Sequence, residues 1–249
     1  GHVQALQRLK AYRFLCDIPY EDVELDKELN EYGHLGAEIC KAIGTINHHP
    51  KNPGWPEEKF KRAYHATTHS NLSMGRPSMA SSVDAYMNDS DKSNISRVGH
   101  RRWCLNPGMK KVGWGIVDKF SAMMAHDNSR NPKPDWVRIF YPARGYMPVA
   151  YFSNMHAWCV LLHPKKHAKP SKDTVKARVY EVDKRFRLGK EPLKLNYFNV
   201  DTAGYGHNTA IIFRPDGVQV RDGNRYWAEV DGVKTSDGED VEIRYLVEF

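Results

Sequence analysis

The sequence has no apolar run that approaches the ~18–20 residues of a membrane-spanning helix, so no helical membrane anchor is expected within it. Cysteine is scarce: only Cys16, Cys40, Cys104 and Cys159 occur in 249 residues. None has the C-x-x-C spacing of a zinc ribbon or a dithiol redox motif. Four cysteines permit three full pairings, and spacing does not choose among them. Cys40 sits on an apolar helical stripe and Cys104 in an apolar run, so buried thiols stay as open as disulfides. There is no internal repeat and no aromatic-basic RNA signature, and no specific nucleic-acid partner is expected.

What is present is enough for folded cores: 41% hydrophobic residues, with six Trp and thirteen Tyr. The length suits one large or two small domains. The net charge of +7 suits a chain that tolerates anionic surfaces such as wall polymers, lipid headgroups or nucleic acid. The basic residues are scattered, and the densest group, His163-Pro164-Lys165-Lys166-His167-Ala168-Lys169-Pro170, reads as a loop. No leader peptide is visible. Val3 to Leu15 reads as a helix already under way without a cap, the expectation for a trimmed chain.

Periodicity divides the chain. Residues 3–16 read as a first helix. Leu25, Leu29, Tyr32, Gly36, Ile39 and Ile43, in steps of four and three, predict a second, with Asp26 as N-cap and Glu28 in its first turn. A Pro-rich stretch from His48 to Pro56 follows, then helical character over 57–67. Pro77 suits a first helical position ahead of the stripe Met79, Val83, Tyr86 and Met87. After Gly99 short apolar runs between turn residues predict strands at 102–105, 111–117 and 120–126. Residues 127–135 are turn-rich, which puts a domain boundary near 130–136. Beyond it strands are predicted at 136–141, 157–162, 175–182, 193–199, 209–213, 225–230 and 241–248, a spacing typical of a β-sandwich.

Val98-Gly99-His100-Arg101-Arg102-Trp103-Cys104-Leu105-Asn106-Pro107 is the most informative phrase. It resembles the signature of the CAP superfamily (cysteine-rich secretory proteins, antigen 5, pathogenesis-related 1), where a Gly-His pair opens a central strand and the histidine faces a cleft. Leu25-Asp26-Lys27-Glu28-Leu29, His48-His49-Pro50, Ser70-Asn71-Leu72-Ser73 and Ala85-Tyr86-Met87-Asn88-Asp89 are similar to further steps of that family, in the same order. The resemblance implies an α+β chain: a CAP-like α-β-α sandwich over 1–132, followed by an all-β, immunoglobulin-like sandwich over 133–249. The second half is similar to the β module that follows such domains in some bacterial proteins, through Phe140-Tyr141-Pro142, Gly145-Tyr146, Gly204-Tyr205-Gly206-His207-Asn208 and Tyr226-Trp227-Ala228-Glu229-Val230.

Family members often carry two histidines and two acids round the cleft, in some cases holding a divalent metal. Carried over, the histidines fall on His48 (or its neighbour His49) and His100, and one acid on Asp89. The other acidic position is Ser70. A neutral serine hydroxyl is a poor zinc ligand beside a carboxylate, so a His48, His100 and Asp89 zinc site is weakened or abolished. No cofactor is expected beyond that one metal. The same replacement sets up a nominal Ser70, His100 (or His48), Asp89 triad, without a nucleophile elbow or oxyanion motif. His65 and His69 stand at i, i+4, but Ala66 fills the place where a zinc protease needs glutamate, so the pair reads as surface or loop histidines. Trp114, Trp136, Tyr141, Tyr146, Tyr151, Phe152 and Trp158 suit either a glycan or lipid groove or, more ordinarily, core packing.

The expectation is a secreted or cell-envelope CAP protein without enzymatic activity, its cleft lined by His48, Ser70, Asp89 and His100. It would take a small ligand, a lipid, a glycan or a partner protein. A hydrolase using Ser70, His100 and Asp89, and a structural subunit of an extracellular assembly, are the alternatives.

Overall fold

A computed structural model describes residues 1–249. Residue contacts divide it into two compact units. Unit 1 holds Gly1–Phe14, Pro19–Met87 and Asn106–Pro134, and unit 2 holds Leu15–Ile18, Asn88–Leu105 and Asp135–Phe249. No helix is long and apolar enough to cross a membrane.

In unit 1 the elements are α1 (His2–Leu15), β1 (Glu24–Leu25), α2 (Lys27–Ile43), α3 (Glu57–Thr68), β2 (Ser70–Met74), α4 (Met79–Asn88), β3 (Lys111–Val117) and β4 (Phe120–Met124). The strands form one sheet in the order β1-β3-β4-β2. Helix α2 begins where expected: Asp26 accepts a hydrogen bond from Leu29 N at 3.1 Å, which satisfies one of the first turn's unpaired donors. It ends at Gly44, whose φ of 73° is the left-handed turn that closes a helix. Glycines then decide how closely α2 meets the sheet. A Cβ on Gly113 would lie 2.2 Å from the Leu29 backbone, and one on Gly115 2.1 Å from His34 N. From the helix side, a Cβ on Gly33 would lie 2.6 Å from the Trp114 backbone. Helix and strand therefore touch backbone to backbone.

Strand alternation turns the neighbouring side chains to the opposite face. Ala122 faces Gly36 of α2, while Ser121 faces α4, where the Tyr86 hydroxyl donates to Asn71 O at 3.0 Å and lies 3.4 Å from Ser121 Oγ. Asp84 of α4 binds Arg8 at 2.5 Å and Tyr12 at 2.8 Å on α1. The sheet thus lies between α2 with α3 and α4 with α1. Pro77 is not the first residue of α4; Ser78 and Ser81 exchange backbone-to-hydroxyl bonds at 3.1 Å and cap that helix instead.

Unit 2 contains α5 (Gly99–Cys104) and two four-stranded sheets. Its strands are β5 (Arg138–Tyr141), β6 (Gly145–Tyr146), β7 (Trp158–Leu162), β8 (Lys176–Val182), β9 (Leu195–Asp201), β10 (Thr209–Pro215), β11 (Arg225–Lys234) and β12 (Asp240–Glu248). One sheet runs β5-β7-β10-β9, and the other β6-β12-β11-β8. The predicted strands after residue 135 all have counterparts. Aromatic rings fill the core: Trp158 meets Phe213, Tyr226, Tyr245 and Phe152 at centroid distances of 6.0 to 6.5 Å.

The strand expected at 102–105 is helix α5. All four cysteines are buried thiols with no disulfide among them. Trp114, Tyr141, Phe152 and Trp158 are buried in the cores.

Candidate functional site

Asp89 and His100 meet at the head of α5. Asp89 follows α4 with a φ of 42° and is almost fully buried. Its Oδ1 lies 2.8 Å from His100 Nδ1, and its Oδ2 accepts from His100 N at 2.9 Å and Arg101 N at 3.3 Å. A carboxylate supplies acceptors only, so the ring must present Nδ1–H to it. The neutral imidazole then carries its lone pair on Nε2. The same carboxylate satisfies the first amides of α5, where a negative charge opposes the positive end of the helix. One buried acid therefore starts the helix and fixes the histidine tautomer.

Two arginines lock the segment. Arg101 and Arg102 are both fully buried. Arg101 donates to Ala157 O at 2.7 Å and Asn88 O at 2.5 Å, touches Cys159 Sγ at 3.4 Å, and lies over the Tyr141 ring at 4.5 Å. Arg102 donates to Asn208 through Oδ1 at 2.9 Å and through the backbone carbonyl, and it pairs with Asp201. Burial pulls the Arg102 guanidinium down from the usual arginine range, and Asp201 opposes that pull. Gly206 completes the seat, since a Cβ there would fall 2.1 Å from Arg102 O. The Gly-Tyr-Gly-His-Asn phrase of the sequence is the socket for Arg102.

His48 and Ser70 belong to unit 1, whereas Asp89 and His100 belong to unit 2. The exposed His48 places Nδ1 2.7 Å from Thr67 O. Its neighbour His49 instead meets the Tyr64 hydroxyl at 3.0 Å. Ser70 opens β2, is 1% exposed, and donates to Met124 Sδ at 3.2 Å. His65 and His69 are exposed on and just after α3, and their rings stack at 4.1 Å. Neither unit gathers three or more His, Cys, Asp or Glu side chains as a metal ion requires.

Residues 19–122 match CAP, the cysteine-rich secretory protein family. The CAP region thus includes β1 through β3 and residues 88–105 with the Asp89–His100 pair. No curated protein and no solved structure matches the chain significantly.

The donor chemistry does not fit the metal that the CAP resemblance implies. Both oxygens of Asp89 already accept N–H groups, and the second acidic position is a buried hydroxyl turned to sulfur. The sequence had no local signal for Arg101 and Arg102 as anchors, because Ala157, which accepts from Arg101, and Asn208, which accepts from Arg102, lie 56 and 106 residues away in the chain.

Proposed function

We propose that this is a secreted or cell-envelope CAP protein that acts by binding rather than by hydrolysis, with an immunoglobulin-like second module. The observation that carries the non-hydrolytic reading is the Ser70 hydroxyl, buried and committed to the Met124 thioether. A nucleophilic serine needs a base within hydrogen-bond reach and access for substrate. Asp89 and His100 do form the acid–imidazole half of a triad, but their bonds also serve to hold α5. CAP proteins are typically secreted, and the basic chain suits an anionic envelope.

The immunoglobulin-like reading rests on strand order. Taking β5, β7, β8, β9, β10, β11 and β12 as A to G gives A-B-E-D on one sheet and C-F-G on the other, the constant-type arrangement. Short β6 runs parallel to β12, as an extension of the first strand on the second sheet. Tyr226, at the start of β11, accepts from Gln219 N at 2.7 Å, which is the tie of a tyrosine corner.

The test is hydrolysis of casein and of p-nitrophenyl esters by the full chain and by Ser70→Ala. Background rates from both are expected. Turnover by the full chain that disappears in Ser70→Ala overturns the reading.

A further inference from the structure

The basic loop 163–169 meets β5 and its approach in unit 2 through His167 on Arg138 and His163 on Trp136, and a cavity of about 480 Å³ opens beside them. Trp136, Arg138 and Phe140 from the approach and body of β5 line it, with Arg144, Cys16 and Asp17. That volume is within the ~300–1,000 Å³ range of small-molecule sites and far exceeds the needs of a bare phosphate.

Two acids, Asp17 and Asp135, share the lining with Arg138 and Arg144, and pairing leaves one guanidinium over. Arg144 pairs with Asp17 at 3.4 Å, and Lys166 pairs with Asp135. Arg138 is half-buried and has no carboxylate partner. Its one protein hydrogen bond runs from Nε to His167 Nε2 at 3.1 Å. That imidazole must be neutral to accept, with its proton on Nδ1, which faces His163 O at 3.3 Å. Burial holds His167 below the usual histidine range, and the Arg138 charge adds to the effect. A neutral acceptor therefore orients the guanidinium without cancelling its charge. A guanidinium partly withdrawn from water, with no carboxylate beside it, is open to an anionic partner.

The remaining wall is aromatic. Trp136 is braced by the His163 ring at a centroid distance of 4.6 Å, and Arg144 lies over Phe140 at 5.9 Å. A guanidinium fork next to flat rings suits a ligand with an acidic group on a compact body that has non-polar C–H faces. We propose that this cavity binds an acidic saccharide, its carboxylate or phosphate on Arg138 and its ring against Trp136. The site shares no residue with the Asp89–His100 pair and does not depend on the non-hydrolytic reading.

Isothermal titration calorimetry of the full chain with D-glucuronate, glucose 6-phosphate, inorganic phosphate and D-glucose tests it. Saturable binding of at least one acidic sugar is expected, with none of D-glucose. Preference between the two acidic sugars tells a uronic acid from a phosphorylated glycan. Arg138→Gln should weaken binding at least 10-fold, and Arg144→Gln, on the exposed rim, several-fold. Arg138→Lys, which keeps the charge but loses the fork, should fall between Arg138→Gln and the parent chain. Trp136→Ala should weaken the acidic sugars more than inorganic phosphate. Circular dichroism of each variant confirms the fold. No saturation with either acidic sugar, equal binding of D-glucose, phosphate binding as tight as both sugars, or an unchanged dissociation constant in a folded Arg138→Gln overturns the proposal.

Discussion

The two units are held together in opposite ways. In unit 1, α2 lies on the sheet through Gly33, Gly113 and Gly115, and what fits there is the absence of side chains. In unit 2, Trp158, Phe213, Tyr226 and Tyr245 fill the space between sheets, and Arg101 and Arg102 fix α5 by donating to distant acceptors. The first kind of packing fails when a methyl is added, the second when a group is removed.

The largest effect should come from adding one methyl in unit 1. In Gly115→Ala the new Cβ meets the α2 backbone, which has no rotamer by which to yield. The cost should exceed the ordinary ~1–3 kcal/mol of overpacking and prevent unit 1 from folding. Hydrogen exchange of β3 and β4 amides measures this, and protection as in the parent chain would break the comparison.

Next comes a removal in unit 2. Arg102→Met strands the Asp201 carboxylate and the Asn208 acceptors and should cost about 3 kcal/mol, the low end for a broken buried pair because Asp201 keeps some exposure. Urea unfolding followed by tryptophan fluorescence gives the value.

A pH effect follows from His156, whose ring lies 3.1 Å from the Tyr141 hydroxyl. Burial, then the nearby Arg101 charge, pushes its pKa from 6.5 down to about 3. The folded state therefore resists the proton that the unfolded state accepts. Stability from this group is full above pH 6.5 and falls at about 1.4 kcal/mol per pH unit until the folded pKa is reached. Between pH 6.5 and 5 the loss should be about 2 kcal/mol, and His156→Gln should remove it from the urea midpoint profile.

The smallest effect is expected on the outer face of the second sheet. Arg178 pairs with Glu229 at 3.0 Å and Asp231 at 2.5 Å, and Arg244 with Asp231 at 2.5 Å. Arg178 keeps 38% of its side-chain surface, so water screens the network. Arg178→Ala should cost about 1 kcal/mol or less by the same unfolding measurement.

The same contrast explains what the sequence made legible. Strands β11 and β12 of unit 2 alternate between core and surface, as β11 does from Tyr226 to Val230, and that period is local and readable. Helix α2 carries its own cap and its own stop in Asp26 and Gly44. Helix α5 does neither. Its starting carboxylate is Asp89, eleven residues before His100, and acceptors that hold its arginines lie far along the chain. Strand β2 was hidden as well, because Ser70, Asn71 and Ser73 are polar yet buried, which breaks the alternation. Of the candidate site, the positions of His100 and Asp89 were legible through resemblance to the CAP family. Their bond, which turns two candidate ligands into one held pair, was not.

The most direct measurement is a long-range ¹⁵N–¹H correlation spectrum of the His100 ring. The ring should carry a proton on Nδ1, unchanged in Ser70→Ala and lost in Asp89→Ala. An Nε2–H tautomer in the parent chain, or a ring that ignores the loss of Asp89, would contradict the reading of Asp89 as the residue that holds His100 and starts α5.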